Sequence, residues 1–240
     1  MKQFLILLIF LVPAMAFSQM LLKPGNPCIE YKRISDETSN MIWYLMQDTT
    51  KIEIGRITSD IQTDSLNLTV ITTVRMRQAP TAWIDSTIAD RNSLKPVYHS
   101  SYNTQRDMII RFDSLITGYY ADKEKRSTIS ISDSPSMDYF DSNLYPTLIR
   151  WLPLKTGFTK DLSIYDFNPN GKTGVMKVSV IAVRQCEYIY QDKEIKKVYL
   201  VTVKDEISSG TTTYFIDIET RKLWKMVIAS GERKMVMEAV

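Results

Sequence analysis

Along most of the chain, apolar and polar residues alternate with period two, the signature of strands that bury one face. The clearest run is Asp64 to Arg77: Leu66, Leu68, Val70, Val74 and Met76 point one way, while Asn67, Thr69, Thr73, Arg75 and Arg77 point mostly the other. A strand of that length suits a barrel or a strongly curved sheet. Shorter runs follow at Asp107 to Phe112, Ser127 to Ser132, Val175 to Val183, Val198 to Val203, Thr211 to Ile218 and Leu223 to Ala229. Most are rich in β-branched or aromatic residues. Polar turns separate them, including Asp122-Lys123-Glu124-Lys125, Asn168-Pro169-Asn170-Gly171, Gln191-Asp192-Lys193 and Ser208-Ser209-Gly210. Strands joined by such short turns pair antiparallel. The spacing predicts about nine to twelve of them. The expected fold is therefore all-β, a long antiparallel meander forming a strongly curved sheet, half-barrel or barrel, although the alternation alone supports a β-sandwich nearly as well.

One segment breaks the alternation. From Phe140 to Leu152, the residues Leu144, Leu148, Trp151 and Leu152 fall on one helical face. Asp141 or Ser142 would cap the start, Pro146 fits only in the first turn, and Pro153 would end the helix. One amphipathic helix in a meander packs its apolar face on or into the sheet.

The N-terminus follows a different pattern. Met1-Lys2-Gln3 carries one positive charge, and an apolar run from Phe4 to Phe17 follows, broken only by Pro13. That run matches the roughly 7–15 residues of a signal-peptide core and falls short of the ~20 that span a bilayer. Ala16 and Ser18 supply small side chains at the −3 and −1 positions, so residues 1–18 are expected to be a signal peptide cleaved between Ser18 and Gln19. Ser18 and Gln19 interrupt the run and no basic cluster follows, which argues against an uncleaved anchor. Cys28 lies too far along to be a lipid-attachment site. The expected product is a periplasmic or secreted β domain over residues 19–240 without a stable membrane span, its first part, to about residue 40, a lead-in segment. Its start, Met20-Leu21-Leu22, is apolar and needs a place to pack.

Charge and cysteines narrow the partners. Formal net charge is +3, with Lys and Arg scattered among Asp and Glu, a distribution that does not point to nucleic acid or anionic membrane as the main partner. Cys28 and Cys186 are the two cysteines. In an oxidising compartment they are able to pair, but sequence alone does not supply the Cα separation a disulfide requires. The sequon Asn67-Leu68-Thr69 falls inside a strand pattern, where it reads as coincidence.

Motifs for chemistry come close and fail. Asp166-Phe167-Asn168-Pro169-Asn170-Gly171 matches the first half of a calcium-binding loop, but the twelfth position is Lys177 rather than a bidentate Glu. Gly171-Lys172-Thr173 resembles the end of a phosphate-binding loop, yet Asp166 stands where the first Gly belongs. His99, the one histidine, sits in Val97-Tyr98-His99-Ser100-Ser101 with no nucleophile motif around it, and reads as a structural or surface residue. Asp85, Asp90, Asp107 and Asp113 are carboxylates without a visible pairing. No catalytic, metal-ligating or cofactor-binding residue is nominated, and the expectation is a protein that is not an enzyme.

Two function classes remain. The first is a binding or carrier module for an apolar ligand such as a lipid or lipoprotein acyl chain. Its sequence support is a strand apolar on both faces, where Met176, Val178, Val180 and Ala182 alternate with Val175, Ile181 and Val183. Such a strand is also what a central core position produces. The second is a structural or interaction protein of the cell envelope that docks partners through strand edges and aromatic surface. Thirteen tyrosines and four tryptophans suit that role, with Tyr119, Tyr120, Tyr188 and Tyr190 in or beside strands.

Four phrases carry a family likeness: Trp83-Ile84-Asp85-Ser86-Thr87, Leu94-Lys95-Pro96-Val97, Tyr139-Phe140-Asp141-Ser142-Asn143-Leu144-Tyr145-Pro146 and Gly231-Glu232-Arg233-Lys234-Met235. From about Met41 to Met237 the chain resembles exported bacterial proteins of the domain of unknown function 3108 family, particularly those of Bacteroidetes, and the signal ending Phe17-Ser18-Gln19 is similar to theirs. The resemblance implies an antiparallel, strongly curved or barrel-like sheet similar to periplasmic lipoprotein-carrier folds. It implies no activity and no site residues.

Overall fold

The computed structural model describes residues 21–191 and 193–240; the expected export signal and its cleavage site lie outside them. Fifteen strands make one sheet. Strands β1 (Glu37–Gln47), β2 (Thr50–Thr63), β3 (Asn67–Met76) and β4 (Trp83–Asp90) step outward from the middle of the sheet. They continue through β5 (Pro96–Tyr102), β6 (Arg106–Phe112), β7 (Ile116–Asp122) and β8 (Ser127–Asp133), which forms one edge. The chain then crosses to the other edge at β9 (Phe140–Asp141) and returns inward through β10 (Lys160–Asp166), β11 (Gly174–Tyr190) and β12 (Glu194–Asp205). Strands β13 (Thr211–Asp217), β14 (Leu223–Ser230) and β15 (Arg233–Ala239) complete the return, so that β15 pairs antiparallel with β1. Among the described strands, the two-residue β9 alone pairs parallel with its neighbour, β10.

The sheet curls without closing into a barrel, since β8 and β9 remain its two ends. Register shifts at Trp43/Tyr44, Ile88/Ala89, Val180/Ala182 and Phe215/Ile216 mark bulges. An extra residue on one strand bends it and increases the local twist, which is how a flat ladder becomes a curl. Fifteen strands exceed the nine to twelve expected. The surplus includes β1 and β2, where Glu37, Asn40, Lys51, Arg56 and Asp60 blur the alternation, and β9, too short to leave a pattern. The run expected from Asp64 to Arg77 is a strand only over Asn67–Met76. Asp64 instead accepts hydrogen bonds from the Leu66 and Asn67 N–H groups and makes a turn, leaving Leu66 69% exposed.

The concave face carries the main core. Leu68, Val70, Ile164, Val178, Val201 and Tyr214 from both halves of the sheet pack with Leu144, Leu148, Ile149, Trp151 and Leu152 from the connection between β9 and β10. The helical spacing of those residues is confirmed, but the helix is shorter than expected. Phe140 and Asp141 are strand, and only Tyr145–Leu148 is α-helix (α1), followed by a 3-10 turn at Ile149–Trp151. Leu144 is the N-cap and no side chain caps it; the Asp141 carboxylate expected there is engaged elsewhere, as described below. Pro146 lies in the first turn as required. Leu22 bridges to Leu162 and is fully buried in this core, the packing place that the apolar lead-in needs.

The convex face has a smaller cluster. The β11–β12 hairpin extends past its pairing with β10 and β13 as a two-stranded ribbon. Tyr188 lies 5.3 Å from the Phe215 ring and Tyr190 4.8 Å from the Trp224 ring. Of the tyrosines considered for an exposed aromatic surface, Tyr188 and Tyr190 are thus half-buried in the protein's own packing and Tyr120 is buried in the concave face beside Met108 and Ile110, while Tyr119 is exposed. Cys28 contacts the concave core and Cys186 the convex cluster; both are free thiols.

A candidate ligand-binding hollow

Antiparallel register arranges the concave side chains of β1 to β4 in rows across the sheet. The innermost row, Glu37, Ile61, Val70 and Thr87, lies beneath the α1 segment. Next comes Ser39, Ser59, Thr72 and Asp85, then Met41, Ile57, Val74 and Trp83. Trp43 follows, beside Met237 and Met226 of β15 and β14. Helix and 3-10 turn cover the first row but not the others, and a half-open hollow of about 230 Å³ remains over them.

The inner end is built from held groups. Arg150 Nη2 donates to Glu37 Oε2 at 2.6 Å, and its Nε donates to the Arg221 carbonyl at 2.7 Å. Asn143 Nδ2 donates to Thr87 Oγ1 at 3.0 Å. On the far side, Trp83 Nε1 donates to Asp85 Oδ1 at 2.8 Å and reaches Ser101 Oγ at 3.2 Å, while Arg106 donates to the same Ser101 oxygen.

Behind the hollow lies a buried polar cluster that ties β4 and β5 to β9. His99 Nδ1–H donates to Asp141 Oδ1 at 2.8 Å, and Thr87 donates to Asp141 Oδ2. Burial works against a charge on His99, but the charge and hydrogen bond of Asp141, helped by Asp85 and Asp166, outweigh it and raise the imidazole above its ordinary pKa. The Asp166 carboxyl is also raised, by burial above all and then by the like charge of Asp141. His99 Nε2 has no hydrogen-bond partner among the described residues, so no hydroxyl is set against it as a nucleophile would be. Through these bonds the cluster staples β4 and β5 to β9.

The residues singled out by sequence distribute unevenly. Of the four carboxylates, only Asp85 faces the hollow. Asp90 closes a turn on Ser93, Asp107 pairs with Lys123 at 2.7 Å, and Asp113 lies in the loop between β6 and β7. In the would-be calcium loop, Asn168 accepts from the Asn170 N–H as a plain turn. The strand apolar on both faces is a core strand: Met176, Val178 and Val180 are buried, Ile181 is 48% exposed, and none of them lines the hollow. The lining residues Met41, Trp43, Met226 and Met237 were not singled out from the sequence. Their only signal is alternation within β1, β14 and β15, which does not reveal that they face one another.

Residues 40–238 match the model of a family described as protein of unknown function (DUF3108). No curated protein matches the chain.

Proposed function

We propose that this chain, which belongs to the DUF3108 family, is a binding or carrier module that works outside the cytoplasm and takes part of an apolar ligand, such as a lipid or lipoprotein acyl chain, into its concave hollow. The observation that carries the reading is the collar of Met41, Ile57, Val74, Trp83, Met226 and Met237 around an opening that the α1 segment leaves uncovered. Methionine side chains are unbranched and polarisable and adapt to apolar guests of varied shape. Size limits the guest. About 230 Å³ falls below the roughly 300–1,000 Å³ of pockets that enclose a whole drug-sized ligand. The hollow thus takes one chain or one end of a molecule, with the rest outside.

Solvent extraction and native mass spectrometry of protein purified from its own host test this reading. A co-purifying lipid is expected in the wild type and is expected to be lost in Val74→Trp, which fills the collar. No lipid in repeated preparations, together with no uptake of an added single-chain amphiphile, would sink it. The export half of the proposal is supported by the pattern of residues 1–18. N-terminal sequencing of the mature protein checks it, and a start far from Gln19 would refute cleavage there.

A second reading is favoured by the outer edge of β8. Seven residues long, it contains neither Pro nor Lys, and among the described residues no backbone hydrogen bond reaches its far side. Such an edge is a template for a partner strand. Cross-linking through a Ser130→Cys variant in native envelopes would recover a consistent protein partner if the edge is used, and none if it is not.

A further inference from the structure

The hollow is graded, polar at its inner end and apolar toward its mouth. A pocket shaped for the tip of a hydrocarbon tail is graded the other way. Ser39, Ser59, Thr72 and Asp85 are consecutive cross-strand neighbours on β1 to β4, all facing the hollow. With strands about 4.8 Å apart, the four side chains form a line about 14 Å long. Among the described residues no side-chain hydrogen bond is made by Ser39, Ser59 or Thr72, and Asp85 Oδ2 has no partner, since Trp83 Nε1 engages only Oδ1. None of these oxygens is sealed from the hollow. They are hydrogen-bonding groups that water satisfies until something displaces it.

We infer that the ligand is a single-chain amphiphile with a hydrogen-bond donor, a hydroxyl or an ammonium group, and that it binds with that polar group inward against Thr72 and Asp85. This rests on the reading of the hollow as a binding site. A methyl-ended tail pushed to the inner end would strip water from the row without replacing its bonds, leaving each oxygen unpaired. A carboxylate would meet Asp85 as a like charge. Arg150, the cation at this end, is already engaged by Glu37 and the Arg221 carbonyl. An ammonium group donates to Asp85 Oδ2 and to the Thr72 oxygen, whereas a hydroxyl donates to Asp85 Oδ2 and accepts from Thr72 Oγ1–H; the first methylenes of either chain then lie in the ring of Met41, Ile57, Val74 and Trp83.

Isothermal titration of the full mature chain with decylamine, decanol and decanoate tests the inference. Decylamine and decanol are expected to bind at least tenfold more tightly than decanoate. Thr72→Val, nearly isosteric and suited to a strand, should weaken both by about fivefold, the effect of one neutral hydrogen bond of about 1 kcal/mol. Asp85→Asn, which keeps an oxygen for Trp83 Nε1, should erase the preference of decylamine over decanol. Equal binding of all three probes, with neither substitution altering it, would overturn the inward orientation and leave the apolar-carrier reading standing. Binding of none of the three to the wild type would overturn both.

Discussion

His99 and Asp141 form a buried ion pair that ties β5 to β9, and neither is exposed enough for water to replace the other. Removing one member of a buried pair leaves an uncompensated group and costs about 3–5 kcal/mol, so Asp141→Asn should lower unfolding stability by that order. The pH dependence follows from the raised His99 pKa. Stability from the charged pair is complete below the unfolded value of about 6.5 and is lost as pH rises through the higher folded value. As His99 is the only histidine, urea titrations across the near-neutral range should show a decline in the wild type that is absent in His99→Phe. A flat profile in the wild type would mean that the pair is not charged as described. From sequence His99 read as a structural or surface residue; the structure buries it against Asp141, a partner that the sequence could not name. Asp141 looked like a helix cap, and its true role depends on β9 crossing to meet β5, a contact between residues far apart in the chain.

The connection holding α1 was legible as an apolar face and misread as a longer helix. Leu144, Leu148, Trp151 and Leu152 are all buried as the helical spacing required. The length was wrong because Phe140 and Asp141 pair with Ile164 and Tyr165 instead of opening the helix. Tertiary pairing outweighed local propensity, which is weak over so few residues. Leu148→Ala should cost about 2–5 kcal/mol, the range for emptying a tightly packed aliphatic site. Ile181→Ala, at the half-exposed convex side of β11, should change stability by no more than about 0.5 kcal/mol. Comparable losses from both, read from denaturant midpoints, would show that β11 is covered on both faces after all.

Period-two alternation and polar turns indicated an antiparallel all-β chain but suited a β-sandwich nearly as well as the one curved sheet that is found; the bulges account for its curl. What alternation cannot supply is register between strands remote in sequence. The hollow exists because Met41 of β1 lines up with Ile57 and Val74 while Trp43 lines up with Met237 across the β1–β15 seam, where the first and last described strands pair in the middle of the sheet. Each of these residues, taken alone, is an ordinary strand apolar. The four tryptophans give a direct way to locate a bound chain. Trp43 and Trp83 line the hollow, Trp151 is buried in the core, and Trp224 lies in the convex cluster. A single-chain amphiphile brominated along its alkyl chain should quench fluorescence in the wild type and equally in Trp224→Phe. Quenching should disappear in the Trp43→Phe/Trp83→Phe double variant. Quenching that survives the double variant and vanishes with Trp224 would place the ligand on the convex face and exclude the hollow as its site.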